Sequence, residues 1–96
     1  MNQLHLYLSH LEHNYTVIRN KIRPTTQLFG VVKANAYGSA IAPIAKRLVE
    51  LGVDKLAVAY TEEGTHLRAH GIKTPILVFY PQIEKISELL KANLEP

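Results

Sequence analysis

The 96-residue chain contains no cysteine, which excludes disulfides, thiolate zinc sites and a cysteine nucleophile. No apolar run approaches the roughly 18 residues that a membrane helix needs. The first residues also lack the cationic start and the long apolar stretch of a signal peptide. These absences lead us to expect a cytoplasmic protein that does not enter a membrane.

Concentrated positive charge is also missing, although the net charge is +3 and the pI is near 9.3. The 11 lysines and arginines are scattered and mostly interleaved with acids. A nucleic-acid site usually clusters basic residues on one face, with aromatic residues for single strands. We therefore expect no nucleic-acid partner. The histidine pairs (His10 with His13, His66 with His70) have no evident third ligand, so we predict solvated side chains and no metal site.

The first predicted element is an amphipathic helix over residues 9–22. Its apolar residues recur at three- and four-residue steps and are Leu8, Leu11, Tyr15, Ile18 and Ile22. Ser9 is the predicted N-cap, and Pro24 is expected to stop the helix just after Arg23.

Three short apolar runs then alternate with three helical patterns. Strands are predicted at 28–32, 55–60 and 75–79, and helices at 41–51, 61–71 and 81–93. Thr61 is the expected cap of the second of these helices. The expected inner face of the last helix consists of Ile83, Ile86, Leu89 and Leu90. Strands that alternate with helices indicate an α/β fold with right-handed crossovers and a parallel sheet.

The spacing of the strands is typical of a β/α barrel, whose units average about 30 residues. A fourth strand is expected to begin just after Asn93. Three strands cannot close a barrel and would leave apolar edges open. We therefore expect residues 1–96 to be the N-terminal segment of a barrel, with about three βα units after an initial helix. The alternative is a small open α/β domain with three strands, whose core would be marginal alone.

The residues that indicate chemistry follow the first strand, in the octapeptide VVKANAYG at 31–38. Lys33 is predicted at the carboxyl end of this strand, where parallel α/β folds bind ligands. Partial desolvation there lowers the pKa of an amine and makes it a nucleophile toward an aldehyde. The Tyr37 hydroxyl can donate to a phosphate, and Gly38 allows the backbone to approach an anion. This set suits a phosphorylated aldehyde, but a solvated lysine and a tyrosine that covers the core would show the same spacing.

The octapeptide resembles the pyridoxal-phosphate attachment signature of alanine racemases. The resemblance covers nearly the whole chain, in the same order, through residues 12–15, 56–59, Glu63 with Leu67 and Arg68, and 71–78. In one departure, Gly38 is followed by Ser39 and Ala40, where many members have His-Gly. The sequence is also similar to the racemase domain that some bacteria fuse to a muramoyl-peptide ligase, although nothing in these residues corresponds to the ligase.

The resemblance implies the N-terminal part of a PLP-dependent (β/α)8 TIM barrel, with the rest of the barrel and a C-terminal β domain absent from residues 1–96. Lys33 would bind pyridoxal phosphate covalently and act as the base on one face of the substrate's α-carbon. Tyr37 would hydrogen-bond the cofactor phosphate, and Val31 and Phe79 would line the cofactor pocket.

The same resemblance implies a PLP-dependent isomerase that interconverts L-alanine and D-alanine and supplies D-alanine for peptidoglycan. The full-length enzyme would be a homodimer, because the second base is a tyrosine from the partner's β domain. The arginines that hold the cofactor and the substrate carboxylate would also lie beyond residue 96. Residues 1–96 alone are therefore expected to be inactive.

Three other functions stay open at this point. One is a different PLP barrel racemase or a decarboxylase, although the Asn-Ala-Tyr-Gly continuation favours alanine racemase. Another is a non-catalytic PLP-binding homeostasis protein, whose lysine typically has Ser before it and Thr after it, where this chain has Val32 and Ala34. The last is an interaction module with no chemistry.

Overall fold

The computed structural model describes residues 3–32 and 41–96. Its elements, in chain order, are α1 (Gln3–Lys21), β1 (Phe29–Val31), α2 (Ile41–Leu51), β2 (Lys55–Val58), α3 (Thr61–Ala69), β3 (Ile76–Val78), a 3-10 turn (Ile83–Lys85) and α4 (Ile86–Lys91). The predicted alternation of strands and helices after an initial helix is confirmed. None of the helices in these two ranges is long and apolar enough to cross a membrane.

The three strands form one parallel sheet in the order β1-β2-β3. In its register, Val31 pairs with Ala57, and Ala57 pairs with Leu77. Glu95 then forms a parallel bridge to Leu77, with its N–H 2.8 Å from the Ile76 carbonyl oxygen. The parallel α/β fold is confirmed, and a fourth parallel pairing begins where the sequence predicts a strand.

The hydrophobic core lies between one face of the sheet and the helices. On this face, five residues of the strands or directly after them are at most 1% exposed, namely Val32, Leu56, Val58, Ile76 and Val78; Ala57 on the opposite face is also fully buried. The five residues belong to one cluster with the helix residues Ile44, Leu48, Leu67 and Leu89. At Gly30 a Cβ atom would come within 2.8 Å of Leu48 Cδ1, so α2 packs closely over β1.

Two predicted helix starts are wrong. Helix α1 begins at Gln3, so Ser9 is an exposed residue inside the helix and not its N-cap. A serine is a preferred cap only where the helix begins, and no proline or glycine interrupts the chain before it. In α3 the N-cap is Tyr60, and Thr61 is the first helical residue. The predicted ends are closer, since Gly52 (φ 105°) and Gly71 (φ 87°) take the left-handed conformation typical of helix ends.

The predicted helix over 81–93 is also partly wrong. The chain forms a 3-10 turn before the short α4, and only Leu89 of the four predicted inner residues is buried. Ile83 is 87% exposed and Leu90 is 66% exposed. A 3-10 turn has three residues per turn in place of 3.6, so it changes the face on which the following residues lie.

Two arginines form hydrogen bonds with backbone carbonyl groups of the loops near the amino ends of the strands. The Arg68 guanidinium donates to the carbonyl oxygens of Ile72, Thr74, Ala92 and Asn93 at 2.7–3.0 Å. Burial lowers the pKa of Arg68. Arg19 donates to the Thr26 carbonyl at 2.7 Å and pairs with Asp54 at 3.4 Å. These contacts hold the chain segments that lead into the strands.

Candidate active site

The two faces of the sheet differ in exposure. On the face opposite the core, Phe29 and Val31 of β1 are 44% and 49% exposed. Lys55 lies on this face by its pairing with Phe29, and its Nζ forms an ion pair with Glu95 at 3.0 Å. This face, which we call the open face, therefore presents apolar side chains together with one ion pair.

Two of the predicted site residues lie at the carboxyl edge of the open face. Val31 ends β1, and Phe79, which is 48% exposed, directly follows β3. By register and alternation, Val31, Ala57, Leu77 and Phe79 share one face. Strand β2 separates Val31 from Phe79 by two strand spacings, about 10 Å, and Phe79 lies two residues further along than the register partner Leu77, so their backbones are roughly 12 Å apart. They are thus positioned as two walls with small residues between them, and not as a contact pair.

The other two predicted site residues, Lys33 and Tyr37, lie outside the described residues. The structure does describe the residue before the lysine. The Val32 side chain is 1% exposed, and its N–H donates to the Ala57 carbonyl at 2.8 Å. The backbone immediately before Lys33 is therefore held by both packing and a hydrogen bond.

Glu63 is a residue at this edge whose contacts were not predicted from the sequence. Its carboxylate oxygen Oε1 accepts the N–H groups of Ala59 and Tyr60, each at 2.9 Å. From the sequence, Glu63 is one of the residues that carry the resemblance to alanine racemases, and no contact is predicted for it. The capping-box sequence pattern places Ser or Thr three residues before Glu or Gln, and Tyr60 stands at that position, so the sequence pattern did not reveal this contact.

Further aromatic and charged groups line the loops that follow β2 and β3. The rings of Tyr60 and Tyr80 lie 6.0 Å apart, and both side chains are exposed. Lys85 pairs with Glu62 at 2.7 Å. Its hydrogen bond lowers the pKa of Glu62, and the same bond raises the pKa of Lys85. These contacts join the start of α3 to the 3-10 turn.

The histidines on α3 lie beside each other and contact the helix backbone. The rings of His66 and His70 are 4.4 Å apart, and His70 Nδ1 is 2.9 Å from the His66 carbonyl oxygen. In the part of the chain that the structure describes, no three potential metal ligands come together. The expectation of solvated histidines stays a prediction.

Comparison with known proteins identifies the family. Residues 6–96 match the family model of the alanine racemase N-terminal domain. Alanine racemase 2 of Caldanaerobacter subterraneus is 40% identical over 88 residues, which cover 91% of this chain and 23% of the relative. The alanine racemase of Halothermothrix orenii is 41% identical over 90 residues, which cover 93% of this chain and 24% of the relative.

Solved structures agree with this result. The crystal structure of alanine racemase from Bacillus anthracis with bound L-Ala-P has a TM-score of 0.81 and 38% identity, and the match covers 91% of this chain and 23% of that one. The chain thus spans about a quarter of the length of the relatives it matches. It belongs to the alanine racemase N-terminal domain family.

Proposed function

We propose that residues 1–96 are the N-terminal part of a PLP-dependent isomerase that interconverts L-alanine and D-alanine. The observation that carries the proposal is the family match over residues 6–96, because it spans the octapeptide with Lys33 and Tyr37. Relatives at 40% and 41% identity are named alanine racemase. In this proposal the full-length protein continues beyond residue 96.

The proposed architecture is the first three βα units of a (β/α)8 barrel, which a C-terminal β domain follows. Two observations support it. Glu95 already pairs with β3 in the parallel sense, as a fourth barrel strand would. The open face also leaves Phe29, Val31 and Phe79 nearly half exposed. In a closed barrel, the remaining strands would cover this apolar surface.

The residues at the carboxyl edge fit pyridoxal phosphate. Val31 and Phe79 present half-exposed apolar side chains, and the residues between them, Ala57 of β2 and Ala59 just after it, are small. A flat pyridine ring can pack against such walls. Lys33 directly follows the anchored Val32 and would supply the amine. Tyr37 would donate its hydroxyl to the phosphate.

The chemistry follows from these placements. When bound, pyridoxal phosphate supplies an electron sink that makes the α-proton of the amino acid removable. Lys33 would hold the cofactor through Nζ and exchange the α-proton on one face of the α-carbon. Val31 and Phe79 would exclude water from the cofactor and the neighbouring amine.

Racemisation also requires a proton-transferring group on the opposite face of the α-carbon. We propose that this second base comes from the partner subunit of a homodimer and lies outside residues 1–96. The substrate is a small amino acid, and the product D-alanine would serve peptidoglycan. A relative from Enterococcus gallinarum, 41% identical over 85 residues, is named serine/alanine racemase, so both amino acids belong in the assay. Cytoplasmic residence stays a prediction.

Borohydride reduction of the full-length protein with pyridoxal phosphate, followed by peptide mapping, tests the lysine. We expect the label on Lys33. The Lys33→Ala variant should carry no label and should lose racemisation by at least about a hundredfold. Lys46→Ala is the matched control, because Lys46 is an exposed lysine on α2. Labelling at another residue, or full activity in Lys33→Ala, would contradict the proposal.

A second experiment tests whether the second base lies elsewhere. The isolated 96-residue chain, mixed with pyridoxal phosphate and L-alanine, should form no D-alanine, because one base serves only one face of the α-carbon. Detection of D-alanine with a D-amino-acid oxidase assay checks this result. Measurable turnover would show that both bases lie within residues 1–96.

A further inference from the structure

The hydrogen-bond ladder between β1 and β2 can be followed as far as residue 32 in the part of the chain that the structure describes. Within that part, its final bond runs from the Val32 N–H to the Ala57 carbonyl at 2.8 Å. In a regular parallel ladder the next bond would run from the Ala59 N–H to the Val32 carbonyl, because the bonds are evenly spaced along the pair. The Ala59 N–H donates to the Glu63 carboxylate instead, at 2.9 Å. The donor that would extend the ladder is therefore already in use.

Glu63 holds the turn between β2 and α3 with several hydrogen bonds. The oxygen that accepts the Ala59 N–H also accepts the Tyr60 N–H at 2.9 Å. The Glu63 N–H donates back to the Tyr60 carbonyl at 3.2 Å. Hydrogen bonds to a charged carboxylate are stronger than neutral ones. The carboxylate consequently fixes both the end of β2 and the direction in which α3 leaves it.

We propose that Glu63 is a positioning residue for Lys33 and that it acts through Ala59 and Val32. Lys33 directly follows Val32, whose N–H bonds to β2, and Glu63 occupies the Ala59 N–H that would form the next bond of a regular ladder. Without the carboxylate, the Ala59 N–H would be free to bond the Val32 carbonyl. That bond would extend the ladder and pull the backbone at Lys33 toward β2. This inference rests on the proposed function, in which the Lys33 amine holds the cofactor.

A role in helix capping alone makes a different prediction. Glu63 is the third residue of α3, where a carboxylate commonly caps the N–H groups at a helix start. Loss of such a cap would lower stability but would leave the reaction of Lys33 with pyridoxal phosphate unchanged in protein that is still folded. Positioning predicts that this reaction itself changes.

The experiment compares Glu63→Ala, Glu63→Gln and Glu63→Asp in the full-length protein, with Glu62→Ala as the matched control. Glu62 is the adjacent glutamate, and its carboxylate pairs with Lys85 and not with Ala59. Two readouts are followed: the affinity for pyridoxal phosphate from its visible absorbance, and the pH midpoint of borohydride labelling at Lys33. Circular dichroism selects the variants that are folded.

We expect Glu63→Ala to bind pyridoxal phosphate about tenfold more weakly, which lies within the hundredfold loss that a misplacement of about 1 Å can cause. The pH midpoint of labelling should shift with it. Glu63→Gln should restore both readouts, because an amide oxygen can accept the same two N–H groups. Glu62→Ala should match the wild type.

If Glu63→Ala does not fold, Glu63→Asp decides the question, because it keeps the charge but shortens the side chain by one methylene. A folded Asp variant should show the same changes at smaller size. Wild-type affinity and pH midpoint in a folded Ala or Asp variant would overturn the inference. Wild-type protein that fails to take the label at Lys33 would instead overturn the proposed function, so the two failures are distinguishable.

Discussion

The two faces of the sheet are made from the same kinds of residue and yet differ in what covers them. On the core face, Leu56 and Ile76 are fully buried against helices. On the open face, Val31 and Phe79 are nearly half exposed. Yet Val31 lies in the strand next to Leu56, and Phe79 directly follows the strand that contains Ile76. Apolar side chains that stay exposed together commonly mark a surface that another group covers. The core face therefore stabilises the fold, and in the proposed architecture the open face would contact the rest of a barrel and a ligand.

The largest expected effect is a difference in the free energy of unfolding between substitutions at two neighbouring residues of β3, one on each face of the sheet. Ile76→Ala should lower the free energy of unfolding by about 3 kcal/mol, because it leaves a cavity in the core. Leu77→Ala should cost about 1 kcal/mol in the 96-residue chain, because Leu77 lies on the open face and is only partly buried. Urea unfolding of both variants measures the difference.

The same pair of variants also tests whether further chain covers the open face. In the full-length protein, the cost of Leu77→Ala should rise toward that of Ile76→Ala, because a closed barrel would bury both side chains. Equal costs in the 96-residue chain, or no rise in the full-length protein, would contradict the difference between the faces.

A smaller expected effect is a difference in the affinity for pyridoxal phosphate between substitutions at the carboxyl and amino ends of the open face. Phe79→Ala should weaken pyridoxal-phosphate binding by about fivefold to tenfold, through the loss of an aromatic wall. Its cost in stability should be about 1 kcal/mol or less, because the side chain is half exposed. Absorbance titration with the cofactor measures the affinity.

Phe29→Ala is the matched control for this prediction, since Phe29 is equally exposed on the same face but begins β1 at the opposite end. It should leave the affinity for pyridoxal phosphate unchanged. A loss of affinity in Phe29→Ala as large as that in Phe79→Ala would contradict the prediction that pyridoxal phosphate binds at the carboxyl edge of the open face.

Much of the fold was predictable because its signals are local. Apolar runs and helical spacing indicated the strands and the order of the elements, and Gly52 and Gly71 lie at helix ends as their residue type suggests. Helical spacing of apolar residues predicts the buried face wrongly where an adjacent 3-10 turn changes the number of residues per turn. The 3-10 turn before Ile86 is such a case, and it leaves Ile83 and Leu90 exposed.

The candidate site was predictable to a smaller extent. The octapeptide at 31–38 indicated the lysine and the carboxyl edge of β1, but buried and open faces cannot be told apart in runs that are apolar at every position. The sequence identified Glu63 only as one of the residues that carry the family resemblance, without a contact or a role. Its bond to the Ala59 N–H depends on how the chain turns between β2 and α3, which composition and spacing do not determine.

The smallest expected effect comes from the ion pair between Glu62 and Lys85, which joins the start of α3 to the 3-10 turn. The hydrogen bond from Lys85 lowers the pKa of Glu62 below its ordinary value of 4.5, so the folded state favours the ionised carboxylate. This contribution to stability is complete above the unfolded pKa and is lost as the pH falls through the lowered folded pKa. Because the Glu62 side chain is half exposed and the Lys85 side chain is about a third exposed, solvent screens the pair and the loss should be small. Urea unfolding of the wild type and Glu62→Gln, from neutral pH downward, should show a small difference that vanishes in acid. A difference that stays constant at every pH would mean that the charge on Glu62 contributes nothing to stability. Packing alone would then join the start of α3 to the 3-10 turn.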